Sequence, residues 1–226
     1  AIQTVQEVLD TIGRDAVIEY LQDLGFDKVS QDNFDTGFGI GGSTFTATPV
    51  QLAGAHAAII NSGKYVEPHT VSKIVFADGS EYVADTEGKQ VMSEEAAYMT
   101  ATLEQYCVDG PFYNYMQILR RSYPIYAKTG TSDWGTYGIQ YGIPKGAAKD
   151  KWMVSSSSQY TNVVWLGYDK AEEGEATWFN SAKSSLNLPG KISKEMLDIL
   201  HADLEENPQP LERPEGVVSI THIIGT

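Results

Sequence analysis

The stretch Ser122–Ser132 reads Ser-Tyr-Pro-Ile-Tyr-Ala-Lys-Thr-Gly-Thr-Ser, and the interpretation of the rest of the chain depends on it. Its apolar part, Tyr123–Ala127, is short and bounded by proline and glycine, a pattern typical of a strand rather than a helix. The strand is predicted to continue into Lys128–Thr131, where small and polar residues replace apolar ones. A plain buried strand has no need of such residues, so this end of the strand is the candidate functional segment.

Side chains of the segment Lys128–Thr131 alternate between the two faces of the predicted strand. Lys128 and Gly130 therefore share one face, and Thr129 and Thr131 share the other. Gly130 weakens strand pairing and often marks a place where another backbone comes close. This arrangement suits an edge strand beside a cleft, where free backbone N–H groups hold an extended peptide or a developing oxyanion. The alternative is a polar turn that simply follows a strand.

Composition excludes several classes of function. The 226 residues, 42% hydrophobic and 20% charged, are enough for one large folded domain or slightly more. A net charge of −14 is the opposite of the basic surface that nucleic acids select, so nucleic-acid binding is not predicted. Cys107 is the single cysteine, which excludes an internal disulfide and a cysteine-based metal site. The four histidines have no paired spacing and are predicted to be structural or surface residues: His56, His69, His201 and His222.

The sequence also contains no pattern typical of a membrane-spanning segment or of a nucleotide-binding site. The longest apolar runs fall far below the roughly 20 residues of a membrane helix, and the first residues do not form a signal peptide. The chain is therefore expected to be a soluble protein or a piece of a larger one. Residues 35–47 are rich in glycine and threonine, but they match neither the dinucleotide-binding pattern nor a P-loop, so no nucleotide site is predicted.

Helical periodicity and capping residues predict five helices. The first two form a helical hairpin around Gly13, and the third starts with a capping box formed by Thr48 and Gln51. Ser93 is predicted to cap the fourth helix. The expected ranges are residues 1–9, 14–24, 48–60, 93–109 and 193–206.

Alternating apolar residues predict two sets of strands. Residues 71–76 and 81–83 form a hairpin through Asp78 and Gly79. Residues 152–154 and 161–168 are expected to join the strand of Lys128 in an antiparallel meander, with residues 155–159 as the turn. The intervening residues 132–149 have no periodicity, which is typical of a functional lid or a mobile loop. Trp134 of this region is predicted to contact substrate.

Taken in order, these segments resemble the C-terminal part of the transpeptidase domain of bifunctional, class A penicillin-binding proteins. The resemblance covers nearly the whole chain. It is carried by residues 41–63, Tyr65–Pro68, Lys128–Thr131, Asp150–Trp152, Val164–Asp169 and Pro214–Val218. It implies an α+β fold of the penicillin-binding and serine β-lactamase type, an antiparallel sheet flanked by helices. Residues 1–206 would belong to the transpeptidase domain and residues 207–226 would form an extended tail.

Three motifs define that family, and this sequence contains one of them. The set is Ser-x-x-Lys, a Ser-x-Asn type element and Lys-Thr-Gly. No serine here is followed three residues later by lysine, and Ser185–Asn187 fits the second motif only in the wrong order. Ser155–Ser158 replaces the Gly-Tyr-Thr-like turn usual in the family. The chain is therefore expected to be a fragment that begins just past the second motif and is inactive alone.

The resemblance implies a mechanism for the intact enzyme. A serine in the upstream half of the same protein would attack the D-Ala-D-Ala carbonyl of a peptidoglycan stem peptide, and the amine of a neighbouring stem would resolve the acyl-enzyme. Lys128 would hold the serine of the second motif and supply positive potential for the substrate carboxylate. Thr129 and Thr131 would bind the substrate carboxylate, with Gly130 between them, and the Thr131 N–H would form half of the oxyanion hole.

The same resemblance implies the partners and the location. Penicillins and other β-lactams would mimic the peptide and acylate the same serine, without a metal or organic cofactor. The parent protein would act at the outer face of the cytoplasmic membrane, anchored by a segment that this sequence does not include. Two alternatives stay open: a non-catalytic module that holds a peptide at the edge strand, and a stand-alone hydrolase of the β-lactamase type. The missing Ser-x-x-Lys favours the first and counts against the second.

Overall fold

A computed structural model of the chain describes residues 2–41, 45–111, 114–180, 183–184 and 186–221. Over these ranges the α-helices are α1 Ile2–Ile12, α2 Arg14–Asp23, α3 Pro49–Ile60, α4 Glu94–Asp109 and α5 Leu188–His201. The strands are β1 Lys64–Tyr65, β2 Lys73–Val75, β3 Glu81–Val83, β4 Lys89–Gln90, β5 Tyr126–Asp133, β6 Ala148–Ser156 and β7 Thr161–Gly167. Short 3-10 helices lie at Thr36–Ile40, Tyr115–Leu119 and Tyr137–Tyr141. No helix in the described part is long and apolar enough to cross a membrane.

The central sheet is the antiparallel meander β5-β6-β7 that the sequence predicts. β5 pairs only with β6 among the described strands, so Lys128–Thr131 lies on an edge strand. β6 is longer than expected and includes Ser155 and Ser156, which were predicted to lie in the turn. The turn is correspondingly shorter, and the Ser157 N–H closes it on the Tyr160 carbonyl at 2.9 Å.

Helices cover both faces of this sheet, which confirms the α+β prediction. On one face, Ala127 and Met153 pack with residues of α4, α5 and the 3-10 helix at Tyr115–Leu119. On the other face, Tyr126 packs against Ile60 of α3 and Ala101 of α4. Because Tyr126 and Ala127 are neighbours in one strand, their side chains enter different cores. The strand that carries the candidate segment is thus fixed from both sides at its buried end.

Local signals set the helix starts. The Thr48 hydroxyl accepts from the Gln51 N–H, and the Gln51 side chain accepts from the Thr48 N–H, so the predicted capping box is present at α3. The Ser93 hydroxyl accepts from the Ala96 N–H at the start of α4, as predicted. Gly13 separates α1 from α2 with a φ of 86°, in the region that favours glycine.

The predicted bounds of the last helix were wrong. α5 begins at Leu188, where Pro189 suits the first turn, and Ser193, the predicted first residue, is fully buried inside the helix. The helix ends at His201, before the acidic residues Asp203, Glu205 and Glu206. Negative charge is unfavourable at the carboxyl end of a helix, which explains the earlier stop.

Residues 132–149 are not the structureless run that the sequence predicted. β5 continues to Asp133, a 3-10 helix spans Tyr137–Tyr141, and β6 begins at Ala148. Ile143 of this region is buried in a small apolar cluster with Trp134 and Ala171. The region is an ordered connection between the two strands.

The segment after α5 lies against the domain. Pro208 is buried, and Leu211 packs against Ile60, Ala101 and Tyr126. The Leu211 N–H also donates to the Tyr126 hydroxyl at 3.2 Å. Residues 222–226, which include His222, lie outside the described residues. Gly42–Thr44 of the glycine-rich loop lie outside them as well, and the preceding residues Thr36–Ile40 are a 3-10 helix capped by Asp35.

Candidate functional site

The candidate segment occupies the exposed half of β5. Lys128 and Thr131 are exposed, whereas Thr129 and Gly130 are half-buried. The Lys128 ammonium donates to the Thr129 carbonyl at 2.9 Å. Its side chain therefore lies along the strand edge, on the opposite strand face from Thr129 and Thr131.

A cleft lies against the face of the sheet that carries Thr129 and Thr131, with about 480 Å³ of open space. In the strand register Thr129 faces Met153 and Thr131 faces Lys151, so β5 and β6 together supply its floor. The other walls come from Tyr115 and from the residues before and at the start of α5. Among the described residues, the lining consists of Tyr115, Thr129, Gly130, Thr131, Lys151, Trp152, Met153, Phe179, Lys183, Ser184, Asn187, Leu188 and Pro189.

Gly130 is the point at which the neighbouring strand comes close. It faces Trp152 in the register, and a Cβ atom added at Gly130 would lie 3.1 Å from the Trp152 Cβ. That distance is tighter than ordinary side-chain contacts, so any larger residue displaces the indole. The Trp152 ring in turn packs 6.0 Å from the Trp165 ring of β7. The expected close approach at Gly130 is therefore made by a side chain of β6.

Trp134 lies elsewhere. Its ring is 9% exposed, and the indole N–H donates to the Thr177 carbonyl at 2.7 Å. The Lys149 ammonium lies 5.1 Å from the ring centroid. Trp134 is absent from the described lining of the cleft, and its contacts here are those of a packing residue. Contact between Trp134 and a substrate stays a prediction.

Sequence reasoning missed several residues of the cleft, chiefly Lys151, Lys183 and Tyr115. Lys151 belongs to the Asp150–Trp152 segment that carried part of the resemblance, but no role was assigned to it. Its position opposite Thr131 follows from the strand register, which the pattern of one strand does not contain. Ser185 of the Ser185–Asn187 match lies outside the described residues.

The serine run after Val154 links the sheet to helices on both sides. The Ser155 hydroxyl lies 2.7 Å from the Ser193 hydroxyl of α5, and the Ser157 hydroxyl lies 2.7 Å from Nε2 of His201. Ser156 points to the other face, where its Oγ lies 2.8 Å from Nδ1 of His56. Ser155, Ser156 and Ser157 therefore each bond a different side chain, and the turn that follows is shorter than expected.

His56 connects three elements of the core. Its Nε2 lies 2.8 Å from Oε2 of Glu104 in α4, while its Nδ1 faces Ser156 of β6. A serine, a histidine and a glutamate are also the residue types of some hydrolase triads. Ser156, however, is completely buried and lies 2.7 Å from the Thr161 hydroxyl, so a substrate has no access to it. The network is a structural one, in line with the prediction for His56.

Comparison with known proteins identifies the class to which this fold and this strand belong. The family model described as the penicillin binding protein transpeptidase domain matches residues 4–198. The chain belongs to this family, and the predicted fold and family are confirmed.

Curated relatives specify the family further. Penicillin-binding protein 1A/1B of Bacillus subtilis is 29% identical over 218 residues, which are 95% of this chain and 23% of that protein. Penicillin-binding protein 1A of Streptococcus pneumoniae is 27% identical over 218 residues, covering 93% of this chain and 29% of that protein. The chain is thus homologous to class A penicillin-binding proteins and spans about a quarter of the length of these relatives.

Solved structures share the fold. The penicillin-binding protein PonA1 from Mycobacterium tuberculosis superposes with a TM-score of 0.61 at 23% identity, over 89% of this chain and 55% of that one. The same protein in complex with penicillin V gives a TM-score of 0.60 at 24% identity, over 84% of this chain and 50% of that one. At these identities the likeness concerns the fold.

Proposed function

We propose that this chain supplies the peptide-binding edge strand of a D,D-transpeptidase that cross-links peptidoglycan stem peptides. The observation that carries the proposal is the position of Lys128–Thr131 on the exposed edge of the central sheet, in a chain of the transpeptidase family. The catalytic serine comes from a Ser-x-x-Lys segment that this sequence does not contain. The functional unit is therefore a longer polypeptide, and this chain alone is inactive.

In the assembled site, the residues of β5 have separate roles. The serine attacks the penultimate D-alanine carbonyl of the donor stem, D-alanine leaves, and the amine of a second stem resolves the ester. Thr129 and Thr131 donate hydrogen bonds to the terminal carboxylate, and the Thr131 N–H stabilises the oxyanion. One such backbone donor contributes about 3 kcal/mol to lowering the barrier. Lys128 leaves the Thr129 carbonyl and holds the serine of the second motif.

The same groups account for β-lactam binding and for the cellular location. A penicillin places its acyl carbonyl and its carboxylate where the peptide places its own. It acylates the serine, and the penicilloyl group stays attached to the enzyme. The structure of a fold relative in complex with penicillin V supports this part of the proposal. Since cross-linking takes place in the cell wall, the protein acts outside the cytoplasmic membrane, and its anchor lies in a part not represented in this sequence.

The test uses Lys128→Ala in the longer polypeptide that carries the Ser-x-x-Lys segment. We expect the rate of acylation by labelled penicillin to fall at least about a hundredfold, since removal of one electrostatic group of such a site has that effect. Far-UV circular dichroism should stay unchanged, because Lys128 is exposed. Lys145→Ala removes a second exposed lysine, away from β5, and serves as the matched control. Normal acylation of the Lys128 variant would overturn the site assignment.

The second candidate is a non-catalytic module that holds a peptide at the edge of β5. The absence of Ser-x-x-Lys from the sequence favours it. It predicts that N-acetyl-D-Ala-D-Ala binds reversibly to the longer polypeptide and that penicillin leaves no covalent adduct there. A covalent adduct on the longer polypeptide excludes this candidate.

A further inference from the structure

The cleft beside Thr129 and Thr131 differs in charge from the rest of the molecule. The chain has 30 acidic and 16 basic residues and a net charge of −14. The described lining of the cleft contains two lysines, Lys151 and Lys183, and neither an aspartate nor a glutamate. A recess lined by charges of one sign concentrates ligands of the opposite sign. The cleft is therefore suited to an anion within an acidic protein.

The two lysines of the lining differ in what holds them. The Lys183 ammonium lies 3.0 Å from the Tyr168 hydroxyl and within 3.5 Å of the carbonyls of Ala176 and Trp178. The N–H donors of this ammonium are therefore already used in hydrogen bonds to the loop that Lys183 supports. For Lys151, the one polar contact of Nζ within the described ranges is the Thr131 hydroxyl at 3.5 Å. Of the two lysines in the described lining, Lys151 is thus the one whose ammonium has N–H donors available for a ligand.

Lys151 and Lys128 lie on different faces of the sheet. Lys151 faces Thr131 in the register and shares its side of the sheet, whereas Lys128 faces Val154 on the opposite side. Lys128 also donates to the Thr129 carbonyl. A carboxylate that accepts from the Thr129 and Thr131 hydroxyls therefore meets the ammonium of Lys151 on the same face.

Burial of the Lys151 side chain lowers the pKa of its ammonium from the ordinary lysine value of 10.5. Desolvation without a counter-charge disfavours the charged form, and a carboxylate placed beside the ammonium reverses that effect. The direction of this shift agrees with a cation that lacks its partner until a ligand binds.

We infer that Lys151 is the residue that neutralises the substrate carboxylate in this cleft, together with the hydroxyls of Thr129 and Thr131. The inference rests on the proposed function for the identity of the ligand, a peptide or β-lactam that ends in a carboxylate. It changes the expectation for Lys128: the substrate carboxylate is assigned to Lys151, on the face of Thr131, and Lys128 keeps the serine of the second motif. Charge-assisted hydrogen bonds of this kind are stronger than neutral ones, so Lys151 governs the preference for acids over their neutral derivatives.

The first test measures acylation of the longer polypeptide by benzylpenicillin and by its methyl ester, which lacks the carboxylate. Lys151→Gln should lower the second-order rate constant for the acid roughly tenfold, because a hydrogen bond to a charged group is lost, and leave that for the ester unchanged. Lys151→Arg keeps the charge and should retain most of the rate. Lys145→Gln removes the same charge elsewhere and should have no effect. An equal loss for acid and ester, or no loss for either, would overturn the inference.

The second test separates this inference from the proposed function. Lysines of the isolated chain are 13C-methylated, and Lys151 is followed by NMR with N-acetyl-D-Ala-D-Ala and with its C-terminal amide. The acid should raise the pKa of Lys151, because a bound carboxylate stabilises the ammonium, and the amide should not. If no protein is acylated but this rise is seen, the proposed function fails and the carboxylate site stands. If acylation occurs but acid and amide act alike, the site assignment of Lys151 is wrong.

Discussion

At the scale of single residues, His56 shows what a sequence pattern leaves open. The absence of paired histidine spacing predicted a structural or surface role, and His56 lies buried in α3 with a structural role. Its partners, Glu104 and Ser156, lie 48 and 100 residues further along the chain. Nothing in the local pattern of α3 indicates either partner, since both depend on how α4 and β6 pack.

Removal of the imidazole should be costly. His56→Leu leaves the carboxylate of Glu104, a residue that is 9% exposed, without its partner in the core. We expect the free energy of unfolding of the chain to fall by about 1 to 3 kcal/mol, the usual cost of leaving a buried polar group without its hydrogen-bond partner. Urea denaturation measures this change. The exposed His69 provides the control, and equal stability of His56→Leu and His69→Leu would refute the network as a source of stability.

For the edge strand, the sequence was sufficient to predict the faces on which its own side chains lie, but not the residues opposite them. The alternation of Lys128, Thr129, Gly130 and Thr131 follows from the geometry of any strand, and the structure has that alternation. The facing residue Lys151 needed the register between β5 and β6, a long-range property. The role of Lys128 in catalysis stays a prediction, because it depends on groups that this sequence does not contain.

At the scale of elements, starts that depend on local chemistry were predictable and starts that depend on packing were not. The capping box of α3 and the cap of α4 involve residues three positions apart, so the sequence contains all of their information. Ser193 was the predicted start of the last helix, but it lies inside α5 and its side chain bonds residues of the sheet. Its hydroxyl bonds Ser155 and donates to Oδ1 of Asn162 at 3.0 Å.

The hydrogen bonds among Ser155, Ser193 and Asn162 attach α5 to β6 and β7, so their loss should weaken that attachment. Ser193→Ala removes one of the two hydroxyls of this network and leaves the Asn162 side-chain oxygen without this donor. We expect the free energy of unfolding to fall by about 1 to 2 kcal/mol. Thermal or urea denaturation measures the change. Ser122→Ala alters an exposed serine and is the matched control. A Ser193 variant as stable as that control would show that packing alone attaches α5.

At the scale of the whole molecule, the main expectation to test is the division of the chain. We propose that residues 1–206 form the domain and that residues 207–226 form a tail, of which the segment around Leu211 lies against the domain. Leu211 supports this contact, because it packs on Ile60, Ala101 and Tyr126 and donates to the Tyr126 hydroxyl.

A chain that ends at Glu206 should fold but be less stable. Loss of Leu211 exposes part of the cluster around Tyr126, and we expect the free energy of unfolding to fall by about 2 kcal/mol. Denaturation of the truncated and complete chains measures the difference. Leu211→Ala in the complete chain should reproduce most of it. If both variants are as stable as the original chain, the segment is a free tail and its packing contributes nothing.

The overall charge of the chain illustrates why composition cannot define a site. A net charge of −14 disfavours nucleic-acid partners on general grounds, yet the described lining of the cleft beside Thr131 is cationic. That local reversal arises from Lys151 and Lys183, which the fold brings together from different segments. Motif order and periodicity were sufficient for the family and the fold, and the lining of the site required the three-dimensional arrangement.

The central claim is that this chain completes a transpeptidase site whose serine lies in another segment. The most direct test is an intact-mass spectrum after incubation with a penicillin, recorded for the isolated chain and for the longer polypeptide with the Ser-x-x-Lys segment. We predict that the isolated chain of 24.8 kDa gains no adduct and that the longer polypeptide gains one penicilloyl group. A penicilloyl adduct on the isolated chain, or none on the longer polypeptide, would contradict the claim.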